Sequence, residues 1–174
     1  MADNAEFESL VARFYEPLYQ FAFSLTLAEA DACDLTQQTF TVWATKGHQL
    51  RDASKVKTWL FTILHREFLD SRRRQARFPH LDLDTAEPEL PTISPAAVSQ
   101  LDAEQVLGAL KRVDEVYQAP VALFYLQDCS YNEIAEILKV PLGTVKSRLA
   151  RGIGQLQQLL ARDIVTGQNP PSNL

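Results

Sequence analysis

Apolar residues recur every three or four positions along almost the whole chain, which is the spacing of one face of an α-helix. The first long segment shows this spacing at Phe7, Leu10, Val11, Phe14, Leu18, Phe21, Ala22 and Leu25. No segment shows the alternation of apolar and polar residues that is typical of a half-buried strand. The pattern therefore predicts an all-α protein.

Three helices are expected in the N-terminal half. The first covers about residues 7–25 and should bend near Pro17, because proline removes a backbone hydrogen bond from the helix. The second is expected over residues 28–44. The third runs over residues 56–74 and ends in three consecutive arginines, so its C-terminal end is strongly basic.

The middle of the chain has a different composition. Residues 78–95 contain four prolines among acidic residues, which leaves too little apolar surface for a packed core. We expect a flexible acidic linker here, between an N-terminal helical domain over residues 1–77 and a C-terminal domain over residues 96–162. Residues 163–174 are expected to form a disordered tail.

The C-terminal domain should begin with two helices. Ser94 and Pro95 are a favourable cap and first-turn residue for a helix over about residues 96–113. Pro120 is expected to start the next helix.

A helix-turn-helix motif is predicted after these two helices. Ser130 and Glu133 match the capping-box pattern at the start of a short helix over residues 131–138. A turn at residues 139–141 leads to a long helix from Gly143. The exposed face of that helix carries Thr144, Lys146, Ser147, Arg148 and Arg151. These donors suit phosphates and base edges in the major groove, although an ordinary helical hairpin with a charged exterior is the alternative.

The distribution of charge sharpens this picture. The net charge of −5 counts against nucleic acid, because phosphate contacts need Lys and Arg. Counted by segment, however, residues 51–77 carry +5 and residues 139–162 carry +5, while residues 78–110 carry −6. Two basic blocks in an acidic frame indicate localised contacts with an anionic partner, with two solvated helix faces as the alternative.

Several classes of protein are disfavoured. The longest apolar run, residues 121–126, is far shorter than a membrane span, and the acidic start lacks the layout of a signal peptide, so a soluble cytoplasmic protein is expected. Cys33 and Cys129 are too few for a disulfide framework. We expect no metal, no cofactor and no catalytic residues, because no nucleophile–base pair, phosphate loop or metal-ligand spacing is found.

The motifs resemble one known family. Residues 130–156, SYNEIAEILKVPLGTVKSRLARGIGQL, are similar to the C-terminal domain of the extracytoplasmic-function (ECF) group of bacterial RNA polymerase sigma factors. Residues 31–44 resemble that group's polymerase-binding helix, and residues 58–74 resemble its promoter-melting helix. The resemblance covers roughly residues 7–162 in the family's order.

The resemblance implies a sigma factor that binds core RNA polymerase and directs promoter-specific initiation. It would read the minus-thirty-five element with one domain and melt the minus-ten element with the other. Its partners would be core RNA polymerase, promoter DNA and an anti-sigma factor, with no small-molecule substrate and no direct membrane insertion.

The resemblance also implies site residues. The polymerase contacts would be Asp34, Gln37, Gln38 and Phe40, with core packing as the alternative for Phe40. The minus-ten contacts would be Gln49, Leu50, Arg51, Asp52, Lys55, Lys57, Arg66, Arg72, Arg73 and Arg74. The minus-thirty-five contacts would be Thr144, Lys146, Ser147, Arg148, Ala150 and Arg151.

Two other functions remain open from the sequence. A helix-turn-helix regulator that acts without core polymerase would bind specific DNA sequences as the free protein. A helical interaction protein would show no salt-dependent affinity for DNA, with or without core polymerase.

Overall fold

A computed structural model of the chain describes residues 4–76 and 103–166. Those residues form seven α-helices and two short 3₁₀ turns, with no strand among them, which confirms the all-α prediction. None of the helices in the described ranges is long and apolar enough to cross a bilayer.

The N-terminal domain contains three helices. They are α1 (Asn4–Thr26), α2 (Glu29–Lys46) and α3 (Val56–Ala76). The 3₁₀ turns Gly47–Gln49 and Ala53–Lys55 lie between α2 and α3 and form most of that connection. The predicted bounds of the three helices agree with these to within a few residues.

The core of this domain is built from large side chains on α1 and α3. The fully buried ones are Leu18, Phe21, Leu60, Phe61 and Leu64. The rings of Phe21 and Phe61 lie 5.5 Å apart between their centroids. Each such side chain contributes about 1.5–3 kcal/mol when it is fully removed from water, so this packing holds α3 firmly against α1.

The C-terminal domain contains four helices. They are α4 (Ala103–Leu110), α5 (Glu115–Tyr125), α6 (Tyr131–Leu138) and α7 (Leu142–Thr166). The chain leaves α4 after Leu110 through a turn, slightly before the predicted end near residue 113. The bounds predicted for α6 are confirmed.

The prediction that α5 begins at Pro120 is wrong. The helix begins at Glu115, and Pro120 lies inside it. Two hydrogen bonds stabilise the helix start at Glu115. The backbone N–H of Asp114 donates to Gln155 Oε1 at 2.9 Å, and the side chain of Gln118 donates to the carbonyl of Val113 at 2.9 Å. Gln155 is on α7, 41 residues further along the chain than Asp114, so the local pattern around Pro120 does not reveal its contact.

Other predictions concern residues at the edges of the described ranges. The linker over residues 78–95, and the predicted helical residues 96–102, lie outside the described residues. The helix α7 continues to Thr166, so residues 163–166 are helical although the predicted disordered tail began at residue 163. The remainder of that tail also lies outside the described residues.

The predicted helix-turn-helix is formed by α6 and α7. The predicted capping box is present: the N–H of Ser130 donates to Glu133 Oε2 at 2.7 Å, and the N–H of Glu133 donates to Ser130 Oγ at 3.2 Å. Lys139 turns the chain out of α6 in the left-handed conformation, with φ 53° and ψ 47°. Val145 and Leu149 are buried and attach α7 to the domain.

The two domains pack against each other. Helix α5 lies on α1, and helix α6 lies on α3. Buried apolar residues of both domains form one connected cluster. The described residues of the two domains therefore share one apolar core.

Candidate nucleic-acid and polymerase interfaces

The N-terminal half of α7 presents a polar stripe. Thr144, Ser147, Arg148 and Arg151 recur at the helical i, i+3, i+4 and i+7 positions, and all four are half-buried. The hydroxyl of Ser147 donates to the carbonyl of Thr144 at 3.2 Å. Arg151 Nη1 donates to the hydroxyl of Tyr117 at 3.4 Å, a contact that joins α7 to α5.

Lys146 and Ala150 complete the set of residues predicted for this surface. Lys146 is exposed, and Ala150 is half-buried one turn further along α7. All six predicted residues thus lie on one helix whose opposite face is fixed by the buried Val145 and Leu149. A rigid helix with hydroxyl and cationic donors along one side is the geometry that enters a major groove.

The C-terminal end of α3 carries a second group of cations. Arg66 donates to Glu67 at 3.2 Å, and Arg73 donates to Asp70 at 3.4 Å. The guanidinium of Arg72 lies 5.7 Å from the ring centroid of Phe68. Arg74 completes this group, and like Arg72 and Arg73 it is solvent-exposed.

The loop between α2 and α3 is ordered by its own side chains. Asp52 Oδ1 accepts hydrogen bonds from the N–H and the hydroxyl of Ser54, at 2.9 Å and 2.6 Å. These two bonds, the hydroxyl bond first, lower the pKa of Asp52. The carboxylate therefore stays ionised and holds the loop that carries Gln49, Leu50, Arg51 and Lys55.

A cavity of about 370 Å³ lies beside this loop. Leu50 and Arg51 line it together with Trp43 and His48, two residues that the sequence did not assign to this surface. Ligand pockets are commonly about 300–1,000 Å³, so this volume is within the range that holds a small molecule. The cavity joins a cation, the carboxylate of Glu6, apolar surface and an indole ring. Aromatic and cationic groups are the ones that hold unstacked bases in single-strand binding proteins.

The position of Trp43 has a local cause. Its indole meets Trp59 edge to face, with ring centroids 5.1 Å apart. A Cβ on Gly47 would lie 2.7 Å from the Trp43 ring, so only glycine lets the chain pass so close to it. A tryptophan four residues before a glycine at a helix end is the sequence signal that could have assigned Trp43 to the wall of this cavity.

The predicted polymerase contacts on α2 divide into two groups. Asp34, Gln37 and Gln38 are exposed, and Asp34 and Gln38 line a groove of about 420 Å³ between α2 and α3. Phe40 is only 7% exposed, and its ring lies 6.4 Å from Phe7 and 6.5 Å from Tyr15 between centroids. The packing alternative therefore holds for Phe40, which supports α2 from inside.

Burial shifts the pKa values of other titratable groups among the described residues. Burial raises the pKa of Cys129 to about 11, so its thiol stays protonated and unreactive near neutral pH. Burial, and secondarily the nearby Arg148, lower the pKa of His65 to about 4. His65 is on α3 and Arg148 is on α7, so the charge of one predicted DNA-binding helix acts on a side chain of the other. Among the described residues no cluster of His, Cys, Asp and Glu suits a metal ion.

Comparison with known families agrees with the resemblance. Residues 10–78 match the family model described as Sigma-70 region 2, and residues 103–156 match the one described as Sigma-70, region 4. Each match covers one of the two packed domains, in the order that the resemblance predicts.

Individual proteins give the same result. The chain is 32% identical to the ECF RNA polymerase sigma factor SigE of Mycolicibacterium smegmatis, over 89% of this chain and 62% of that relative, so it spans less than two thirds of the relative's length. It is 26% identical to the RNA polymerase sigma factor YlaC of Bacillus subtilis, over 93% of this chain and 96% of that protein.

Two solved structures have a similar fold. One is the sigma factor RpoE in complex with the anti-sigma factor NepR from Bartonella quintana, with 31% identity, a TM-score of 0.67, and coverage of 90% of this chain and 98% of that one. The other is CnrH in complex with the cytosolic domain of CnrY, with 25% identity, a TM-score of 0.65, and coverage of 93% and 92%.

Proposed function

This chain belongs to the ECF group of RNA polymerase sigma factors, and from that premise we propose which surfaces it uses to start transcription. As a sigma factor it binds core RNA polymerase and directs initiation at specific promoters. The observation that carries the proposal is the pairing of two features: a helix-turn-helix with a polar, cationic stripe, and a second domain that has a loop-lined cavity and a helix with a basic C-terminal end.

The minus-thirty-five element is assigned to α7. Lys146, Ser147, Ala150 and Arg151 lie nearest the base edges, while Thr144 and Arg148 hold phosphates. Arg151 is supported by Tyr117, which limits the rotamers of its guanidinium before DNA arrives. A side chain that is oriented in advance loses less conformational entropy on binding.

The minus-ten element is assigned to the loop, the cavity and α3. A base that leaves the stack enters the cavity beside Leu50 and Arg51, and its neighbouring phosphates meet Lys55 and Lys57. Unstacking costs a few kcal/mol for each base, which cationic backbone contacts and an apolar pocket offset. Along α3 the remaining cations, Arg66, Arg72, Arg73 and Arg74, continue the track for the displaced strand.

We assign the binding of core polymerase to the exposed polar face of α2. Asp34, Gln37 and Gln38 offer acceptors and donors on one face of a helix whose other face is anchored by Phe40. This face distinguishes the proposal from a helix-turn-helix regulator that acts alone, because such a regulator has no need of a second domain with a polymerase-facing helix.

The remaining parts of the proposal concern organisation. The polymerase and minus-ten functions belong to residues 1–77, and the minus-thirty-five function belongs to residues 96–162. The protein acts in the cytoplasm as an initiation factor rather than as an enzyme. An anti-sigma factor is a further partner in this proposal, because the similar RpoE structure described above is a complex with the anti-sigma factor NepR.

Matched charge variants test the assignments. Asp34→Lys should abolish binding to purified core polymerase, while the Lys146→Ala/Arg148→Ala variant should bind core normally but lose promoter binding. Glu8→Lys is the control, because Glu8 is exposed on α1 and accepts a hydrogen bond only from the neighbouring turn, at Asn4. Equal loss of core binding in Asp34→Lys and in the control, or normal promoter binding by the double variant, would refute the assignments.

A further inference from the structure

The cavity beside the loop between α2 and α3 is lined by two groups of opposite charge. One is Glu6, in the first turn of α1, and the other is Arg51, in the loop. Both residues are solvent-exposed. Among the described residues, neither the Glu6 carboxylate nor the Arg51 guanidinium forms an ion pair or a hydrogen bond. A ligand in the cavity therefore meets an acceptor from α1 and a donor from the loop, and both are available to it.

The apolar part of the cavity offers a surface to a flat ring. Trp43 and Leu50 line the cavity, and both are half-buried. The indole of Trp43 is held by its contact with Trp59 and by the close passage of the chain at Gly47. Any base can stack on such a surface, so stacking gives affinity without preference. Preference among bases has to come from polar groups that meet the edge of the ring.

A carboxylate has a distinct effect on a surface that binds nucleic acid. It accepts hydrogen bonds but donates none, and its charge repels the phosphates on either side of the base. Glu6 therefore lowers the affinity for a strand unless the base donates a hydrogen bond to it. Cytosine, adenine and guanine have an exocyclic amino group that can donate. Thymine and uracil have a carbonyl oxygen there, so two acceptors would face each other.

We propose that Glu6 determines which base the cavity accepts: its carboxylate accepts a hydrogen bond from an exocyclic amino group, and Arg51 donates to acceptors on the same base. Cytosine and guanine match these two charges best, because each has donors at one end of its Watson–Crick edge and acceptors at the other. Thymine is excluded, because its one donor on that edge lies between two carbonyl oxygens. This inference rests on the proposed minus-ten function, in which the cavity takes an unstacked base.

Binding of homopolymer strands tests this selection. The probes are fluorescent oligodeoxycytidylate and oligodeoxyuridylate of about 20 nucleotides, titrated with the full chain and followed by anisotropy. The two bases have the same ring size and no methyl group, and they differ in the amino group that Glu6 would read. Every register of each strand presents the same base to the cavity. The wild type should bind the cytosine strand about five- to tenfold more tightly, at the lower end for a specific base contact because Glu6 is exposed.

Glu6→Gln separates base selection from charge. A glutamine amide accepts from cytosine or donates to uracil, so the ratio of the two affinities should fall to about one. Glu8→Gln is the matched control, because Glu8 is exposed on the same helix and does not line the cavity. It removes the same charge, so it should change both affinities equally and keep the wild-type ratio. A wild-type ratio of about one, or a ratio that Glu6→Gln leaves unchanged, would overturn the proposal.

Transcription distinguishes a failure of this proposal from a failure of the proposed function. The chain and core polymerase would be combined with a promoter pool randomised over the minus-ten element, and the transcripts would be sequenced. The wild type should disfavour thymine about five- to tenfold at one position, and Glu6→Gln should lose the preference at that position alone. Initiation with the same preferences in both proteins keeps the sigma function and refutes the role of Glu6. No initiation from any member of the pool refutes the minus-ten function, while the ratio of strand affinities still reports on Glu6.

Discussion

Gly152 is the point at which α7 comes closest to α5. A Cβ placed on Gly152 would lie 2.4 Å from Val121 Cγ2 and 2.9 Å from Tyr117 Cβ. Carbon atoms in contact are normally about 3.5–4.0 Å apart, so Gly152→Ala forces the two helices to shift by about 1 Å. Such overpacking costs about 1–3 kcal/mol.

The higher helix propensity of alanine partly offsets the cost of overpacking. Alanine is better than glycine inside a helix by about 1 kcal/mol, so the free energy of unfolding should fall by up to about 2 kcal/mol in Gly152→Ala. Urea denaturation followed by circular dichroism measures this change. The shift should also weaken minus-thirty-five binding, because Tyr117 both meets the new methyl group and supports Arg151.

Gly154 is the matched control for this prediction. It lies two residues away on the same helix, and a Cβ there would meet nothing within 4 Å. Gly154→Ala should therefore raise the free energy of unfolding by about 0.5–1 kcal/mol through helix propensity alone. If both variants are stabilised, the close approach of α7 to α5 described above is wrong.

Three further predictions concern the turn after α6, a buried histidine on α3 and an arginine on α7. Lys139→Gly should stabilise the protein by about 0.5–1 kcal/mol in urea denaturation, because Lys139 has the left-handed conformation that glycine adopts without strain; no gain would contradict that turn. The free energy of unfolding should fall by up to about 3 kcal/mol as the pH is lowered from about 6.5 towards 4. The reason is that His65 is protonated in the unfolded chain over this range, while in the folded chain its pKa of about 4 keeps it neutral. His65→Gln should remove this part of the pH dependence, and an unchanged pH profile would refute the prediction. Arg151→Ala should cost about 1–3 kcal/mol of promoter binding and relax the sequence preference at one position; binding with unchanged preference would exclude a base contact.

Local signals were sufficient for most of the fold. The period of apolar residues predicted the helices, and the Ser130–Glu133 capping box fixed the start of α6 because both partners are within one turn. The start of α5 was missed since its supports include Gln155, which is 41 residues further along the chain.

The candidate site was predictable only in part. The polar stripe of α7 follows from helical spacing, because its buried and exposed faces alternate regularly along the sequence. Phe40 and Trp43 were harder, since an aromatic residue near a surface either packs inward or lines a cavity, and the choice depends on neighbours such as Phe7 and Gly47.

The contacts between the domains were not predictable from local patterns at all. Glu115 and Glu136 are unremarkable exposed acids in the sequence. Their pairing with Arg72 and Lys55 depends on how α5 and α6 lie on α1 and α3. The segment charges indicated that the basic blocks meet an anionic partner, but they did not indicate that Lys55 and Arg72 pair with carboxylates of the C-terminal domain.

Transcription in vitro is the most direct test of the central claim. Purified core polymerase would be combined with this protein on a library of genomic fragments, and transcript 5′ ends would be mapped with and without it. The account predicts new start sites that share two upstream elements and disappear with the Asp34→Lys variant or the Lys146→Ala/Arg148→Ala variant. An unchanged set of start sites on addition of the wild-type protein would contradict the account.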